Sequence, residues 1–270
     1  MRKVDTEVRM MTAGQQVHQS IGRAAAVLDA LAAGNGSSLR ASEIAEAADL
    51  GLSTTTRLLG TLMELGYVAK TSDRDFVLGP RLLALAAAEL NHNTVFRESR
   101  MLCQELARIT RLSANVAVRE GDRCLYLCHF EGDLAPKNQS MVGATIPLHA
   151  SGLGKCLLLG TTQAQRVELL GAQLRRFTRF TVTDHEGLTR VLGEVADAGL
   201  AVEEQELALG RVCLAAPIRD RSGQVCAAIS VSGRVSLLKE LDRGEIEEQL
   251  FEVADRISVN LGHLGGTSVD

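Results

Sequence analysis

Three groups of polar residues in the second half of the chain have the types and spacing to hold a small polar molecule. The first is His149-Ala150-Ser151-Gly152-Leu153-Gly154, which reads as a strand running into a helix. Free backbone N–H groups and the positive end of the helix dipole gather at such a junction and suit a carboxylate. Gly152 and Gly154 would let a ligand approach the backbone closely. The second group is Glu203 with Cys213, neighbours if the strands that carry them are adjacent. The third is Ser230 and Ser232, which share a strand face by the two-residue repeat, with Cys226 on the same face. The first and third have plainer alternatives: a capped and closely packed helix start for the first, hydroxyls bonded to backbone at a sheet edge for the third.

Sharper chemistry is missing. The segment ending in Gly154-Lys155 is not a phosphate loop, because His149 stands where the first glycine belongs and Cys156 where Ser or Thr belongs. Cys124-x-x-x-Cys128-His129 has one residue too many for haem attachment, and a regular strand turns His129 away from both cysteines. No zinc-like spacing and no G-x-S-x-G elbow occurs. The six histidines are too dispersed to nominate a general base. No metal or cofactor is expected.

These groups need a scaffold, and the hydrophobic period supplies one. Thr94 caps a long helix with Val95, Leu102, Leu106 and Ile109 on one face. From Ser113 the period changes from 3.6 to 2, with a hairpin turning at Glu120-Gly121-Asp122 and returning over Arg123 to Phe130. Residues 131–140 read as loop and Met141 to His149 as a strand. Helices follow at about 152–160, 162–170 and 185–198, the last capped at Thr183 or Asp184 and stopped by Gly199. Strands at about 200–204, 211–219 and 224–232 come next, the last two joined by Asp220-Arg221-Ser222-Gly223. A final helix shows Ile246, Leu250, Val253 and Ile257. The result is an α+β domain on an antiparallel sheet.

The first half carries a different signal. Gln19 to Ala33 is a helix with Ser20 as cap and Ile21, Ala24, Leu28 and Leu31 on its stripe. A short helix over Glu43 to Ala48 is broken at Asp49-Leu50-Gly51-Leu52, where Gly51 can take positive φ. Ser53 would cap a second helix whose buried stripe is Leu58, Leu62 and Leu65, while Thr54, Thr55, Thr56 and Arg57 face outward. This is a helix-turn-helix, whose second helix offers its first turn to the major groove. Gly66 closes it, and Tyr67–Lys70 and Phe76–Leu78 form a hairpin around Thr71–Asp75, the wing of a winged helix. Arg40, Lys70 and Arg74 are placed for phosphate. Gly79-Pro80 opens a linker helix with Leu82, Leu83, Leu85, Ala86, Ala87 and Leu90 nearly all round it. Such a helix needs cover on several sides, and the same helix of a second subunit can provide it.

Composition sets limits. The chain has 270 residues, 46% of them hydrophobic, and a net charge of −4. Between residues 20 and 80 there are five basic residues against seven acidic ones. A few placed cations, not a basic field, must therefore carry any DNA contact. Heparin-like or membrane-surface roles fit poorly. No apolar run approaches the ~20 residues of a membrane span. The first residues lack a secretory pattern, and the six cysteines lack framework spacing, which together point to reduced thiols in the cytoplasm.

At QSIGRAAAVLDALA, STTTRLLGTLMELGYV, IPLHASGLGKCLL and GRVCLAAPIRDRSGQVCAAISVSGR the chain resembles the IclR family of bacterial transcription regulators, over residues 19–263. The resemblance implies a C-terminal effector-binding domain related to GAF and PAS folds, dimers that often pair into tetramers, and palindromic operator DNA. It also implies a small organic effector, frequently a carboxylic acid, held by residues matching Gly152, Leu153, Glu203, Cys213, Ser230 and Ser232. The family commonly has Asp at the position of Glu203, whose longer side chain should shrink or recharge the pocket. The expected organisation is an arm at 1–18, a winged helix-turn-helix at 19–79, a linker helix at 80–92, an effector domain at 93–265 and a tail at 266–270. The expected activity is repression of a catabolic operon, relieved by a carboxylic acid or related amide. The rivals are an enzyme acting at Cys213 and a thiol sensor oxidised at Cys213 or Cys226.

Overall fold

The structure is a computed structural model, and it describes residues 18–34, 36–135 and 141–264. The arm up to residue 17, the tail and the end of the 131–140 loop lie outside the described residues. The chain divides into two compact units, with the division between Glu89 and Leu90.

The first unit holds helix α1 (Gln19–Ala33), strand β1 (Leu39–Arg40), helices α2 (Ala41–Ala47) and α3 (Leu52–Glu64), and strands β2 (Val68–Lys70) and β3 (Asp75–Leu78). The three strands form one antiparallel sheet in the order β1-β3-β2. Its core gathers Val27, Leu31, Ile44, Leu59, Leu62, Val68 and Phe76. Burying each of these contributes roughly 1.5–3 kcal/mol.

Several local expectations are displaced by a residue or a face. Ile21 stays 66% exposed and the α1 stripe runs through Val27, Ala30 and Leu31. In α3 the buried positions are Thr55, Leu59 and Leu62, while Leu65 is 58% exposed. Gly51, not Ser53, is the residue that precedes α3, and its φ is −66°. The left-handed residue of the turn is Asp49, at φ 52°. It reverses the chain after α2, and the Leu50 N–H then donates to the Ala45 carbonyl at 2.9 Å. Gly66 does close α3 with φ 78°, and the Tyr67 N–H donates to the Leu62 carbonyl at 2.9 Å.

Helix α4 (Pro80–His92) comes next, and it buries none of its residues within the chain. Leu83 is 74% exposed. We expect this helix to pair with its copy. A charge in that seam would be buried unpaired, so Leu85→Glu should convert a dimer to monomer at micromolar concentration. Light scattering that finds the variant still dimeric would place the dimer contact elsewhere.

The second unit begins with α5 (Thr94–Thr110), capped by Asn93 and not Thr94, since the Asn93 side chain accepts from the Phe96 N–H at 3.0 Å. The chain continues through β4 (Ser113–Glu120), β5 (Arg123–Phe130), β6 (Thr145–Pro147), α6 (Gly152–Leu157), α7 (Gln163–Leu170) and α8 (His185–Ala198). It ends with β7 (Ala201–Glu204), β8 (Arg211–Arg219), β9 (Val225–Arg234), the one-turn α9 (Val235–Leu238) and α10 (Arg243–Asn260). Of the strand expected over 141–149, only Thr145–Pro147 is regular strand, while Gly143 and Ala144 bond the Tyr126 backbone from a turn. Six strands make one antiparallel sheet in the order β6-β5-β4-β9-β8-β7. Helices α5 and α10 cover one face, through Cys103, Leu106, Leu250 and Ile257. Helices α6 and α8 cover the other, through Leu153, Cys156, Leu188 and Leu192.

Two bulges set what each face carries. Between β4 and β5 the register passes from Val116–Cys128 to Ala117–Tyr126, leaving Leu127 extra. Between β8 and β9 it passes from Ile218–Ala227 to Arg219–Val225, leaving Cys226 extra. An extra residue reverses the alternation of side chains. Cys226 therefore packs toward the α5–α10 face and not with Ser230 and Ser232. Cys128 packs on that face too, whereas His129 pairs with Asn115 on the α6 face, the face of Cys124. His129 is thus opposite one cysteine, not both.

Candidate functional site

On the α6 face, strand register brings the expected effector residues into two adjacent rows. One row runs Ser113, Ser232, Cys213, Glu203; the other runs His129, Asn115, Ser230, Ala215, Ala201. The start of α6 lies directly on them. A Cβ built on Gly152 would stand 3.2 Å from both Cys213 Sγ and Ala215 Cβ, so a side chain here would have to push the strands back by a few tenths of an ångström. Ser151 caps α6: its Oγ accepts from the Gly154 N–H at 3.1 Å and donates to the Pro147 carbonyl at 2.7 Å. Gly154 itself admits no side chain, since a Cβ there would fall 2.1 Å from the Leu148 carbonyl oxygen.

Glu203 is fully buried. Its Oε1 accepts from the N–H groups of Glu206 (2.8 Å) and Leu207 (3.2 Å). Its Oε2 is buried with no partner among the described residues. Burial holds the carboxyl above its ordinary range, against the Arg211 charge and the two N–H bonds, which pull it down. An acceptor oxygen enclosed and unmatched is costly, and a donor brought by a ligand relieves it.

Arg211 is the residue that spacing did not nominate. It stands two residues before Cys213 on β8 and so on the same face. Its charge acts on Tyr126, Cys213 and Glu203. A planar five-donor cation beside Cys213 matches a carboxylate. A side chain this long reaches its position through the fold, and no pattern in the sequence marks it.

His149 and Leu153 sit less simply. Leu153 is wholly buried in the core beneath α6, so only its backbone N–H is available to a ligand. The His149 ring turns to the loop after α7, with Nε2 2.9 Å from the Arg175 carbonyl and the ring centroid 5.8 Å from that of Phe177. Burial pushes its pKa down. Behind Glu203, Lys155 forms a buried ion pair with Glu206 and donates to the Val202 carbonyl at 3.1 Å. An open groove of about 540 Å³ between α5 and α10, lined in part by Arg97, Met101, Glu252 and Val259, belongs to the other side of the sheet.

In the first unit Ser53, Thr56 and Arg57 are exposed at the start of α3 and Thr54 is half-buried. Thr55 is fully buried, and its Oγ1 donates to the Gly51 carbonyl at 3.2 Å, so it holds the helix start and meets no base. Lys70 and Arg74 are exposed on the hairpin. Lys70 Nζ donates to the Asp73 carbonyl at 3.3 Å and lies 5.4 Å from the Phe76 ring centroid. Arg40 is exposed, 3.9 Å from the Asp75 carboxylate. Among the described residues, no helix is long and apolar enough to cross a membrane, and no cluster of His, Cys, Asp or Glu could hold a metal ion.

Two family models match this chain: the IclR helix-turn-helix domain over residues 20–72, and the bacterial transcriptional regulator IclR C-terminal domain over residues 87–259. The chain belongs to the IclR family. Relatives within it include the HTH-type transcriptional repressor AllR of Escherichia coli K12, 32% identical over 251 residues that span 92% of each chain. The regulator BhcR of Paracoccus denitrificans is 30% identical over 90% of this chain and 87% of its own. Among solved structures, an IclR regulator of Alicyclobacillus acidocaldarius is 27% identical with a TM-score of 0.79, covering 92% of this chain and 100% of its own. An IclR homologue of Microbacterium hydrocarbonoxydans, complexed with 4-hydroxybenzoate, is 28% identical with a TM-score of 0.77, covering 90% and 98%. This IclR-family protein is thus a DNA-binding transcription regulator with an effector-binding C-terminal domain, and not an enzyme.

Proposed function

We propose that this regulator is a cytoplasmic repressor of a catabolic operon, released from palindromic operator DNA when a small monocarboxylate occupies the α6 face. The observation that carries the reading is the juxtaposition of Arg211, the Gly152 backbone, both serines and an unmatched Glu203 oxygen around Cys213. The carboxylate is received by the N–H groups of Gly152 and Leu153 and by Arg211, where each charge-assisted bond contributes ~1.5–3 kcal/mol. A donor on the ligand meets Glu203 Oε2, Ser230 and Ser232 bond its oxygens, and Cys213 is a soft wall. A hydroxy acid or an amide has both kinds of group, and the relative that binds 4-hydroxybenzoate offers a first probe. The names of the AllR relatives support repression.

On the DNA side, Ser53, Thr54, Thr56 and Arg57 meet base edges, while Arg40, Lys70 and Arg74 meet phosphates. Dimers formed through α4, pairing further into tetramers, match the two-fold operator. The thiol-sensor reading finds little support: burial pushes both the Cys213 and the Cys226 thiols up, away from the reactive thiolate.

The test separates the two domains. A valine at position 152 adds a Cβ already 3.2 Å from Cys213 Sγ, plus two methyls, and must lift α6 off the rows. Gly152→Val should abolish calorimetric binding of 4-hydroxybenzoate and its release of DNA, with operator affinity intact. If Gly152→Val and Ser230→Ala both titrate normally, the effector binds elsewhere.

A further inference from the structure

The second row of the α6 face contains a hydrogen-bond chain that begins outside the group of residues assigned to the effector. His129 Nδ1 lies 2.7 Å from Asn115 Oδ1. Asn115 Nδ2 lies 3.4 Å from Ser230 Oγ and 3.5 Å from Ser232 Oγ. At the far side of the ring, His129 Nε2 is 3.7 Å from the Glu131 carboxylate. Asn115 is buried and Ser230 wholly so.

A carboxamide is not symmetric: its oxygen only accepts and its nitrogen only donates. With Oδ1 turned to the imidazole, Nδ1 must carry the proton, in the neutral ring as in the charged one. The amide nitrogen is then aimed at both serines, and their oxygens are used as acceptors. Each hydroxyl proton is left to be given away. Ser230 is wholly buried and Ser232 only half-buried, which leaves Ser232 as the more accessible donor.

We infer that His129 and Asn115 are positioning residues of the effector site, which hold Ser230 and Ser232 as donors and so select an effector that turns an acceptor oxygen, of a carboxylate or carbonyl, toward them. This rests on the proposed effector site and adds a polarity to it. An ammonium or N–H group at the serine end would find one lone pair of each serine already engaged by the Asn115 amide, and would leave the serine protons without an acceptor. Glu203 Oε2, at the far end of the other row, is the place for the donor of the ligand. Occupants of this face are thereby sorted by orientation as well as by charge.

The deciding measurement needs no ligand. Long-range ¹H–¹⁵N correlation spectra of the full-length protein should show His129 protonated at Nδ1, and a ring protonated at Nε2 alone would overturn the inference. Calorimetry with 4-hydroxybenzoate then reads the consequence. Asn115→Asp, whose two oxygens draw the serine protons to themselves, should weaken binding by about tenfold or more. His129→Ala, which frees the amide to rotate, should weaken it severalfold, and His129→Gln, which restores an N–H donor, should recover most of the loss. Asn115→Asp binding like the wild type, or His129→Gln binding no better than His129→Ala, would sink the positioning role. Should the wild type not bind 4-hydroxybenzoate at all, the proposed effector class is wrong, and the protonation state of His129 alone decides the inference.

Discussion

Lys155→Met should destabilise the effector-binding domain by about 3–5 kcal/mol, the cost of leaving a buried charge without its partner. Lys155 is among the most deeply buried side chains, at 1% exposure. Its ammonium joins α6 to β7 through the Val202 carbonyl and to the segment after β7 through Glu206. Methionine keeps the length and removes the charge, so the Glu206 carboxylate is left in the interior with nothing to neutralise it. Glu206 Oε2 already lacks a partner among the described residues, which leaves it nowhere to turn. The double variant Lys155→Met/Glu206→Leu removes both charges and should regain most of the loss, as buried pairs replaced by apolar residues commonly do. Urea unfolding of the two variants measures the difference. Equal stabilities would show that the ion pair is not what anchors α6.

The second large effect is expected at the operator. Arg57→Ala removes an exposed guanidinium from the start of α3, where a bidentate contact to a guanine is worth about 1–3 kcal/mol of discrimination. A dimer uses the contact twice, so the loss should reach about 2–6 kcal/mol on a palindrome selected from random duplexes, and be small on unrelated DNA. Lys70→Ala should act otherwise, weakening all sequences alike and lowering the salt slope by about one per contact. Fluorescence anisotropy across a salt series distinguishes the two. If both variants bind like the wild type, α3 is not the recognition helix.

Much of this arrangement is legible in the chain, and the failures have local causes. The change of period near Ser113, the turn at Asp220–Gly223 and the glycines at 152 and 154 are all strong local signals, and they place the right residues on the right strands. The face of a residue is less secure. Leu127 and Cys226 are ordinary strand residues, and nothing in their type announces that each is extra, yet each reverses the parity of the strand beyond it. In α3 the choice between Leu58, Leu62, Leu65 and Thr55, Leu59, Leu62 is a rotation of only about 60°, less than one residue, decided by what α1 and α2 press against it. Threonine satisfies its hydroxyl within its own helix and can be buried without loss. Arg211 and the His129–Asn115 pair depend on side chains that meet across strands, and no linear spacing encodes such meetings.

The central β4–β9 pairing has a consequence for how the protein is made. Asn115 and Ser230 are 115 positions apart, and both rows of the α6 face cross this seam. A ribosome adding about 5–20 residues per second leaves β4 exposed for roughly ten seconds before β9 emerges. The winged helix, by contrast, is complete within the first third of the chain and built from near neighbours. On the nascent polypeptide the DNA-reading half is therefore finished well before its control element exists, and the apolar strand β4 waits without a partner on one edge. That interval is when chaperone capture would matter most.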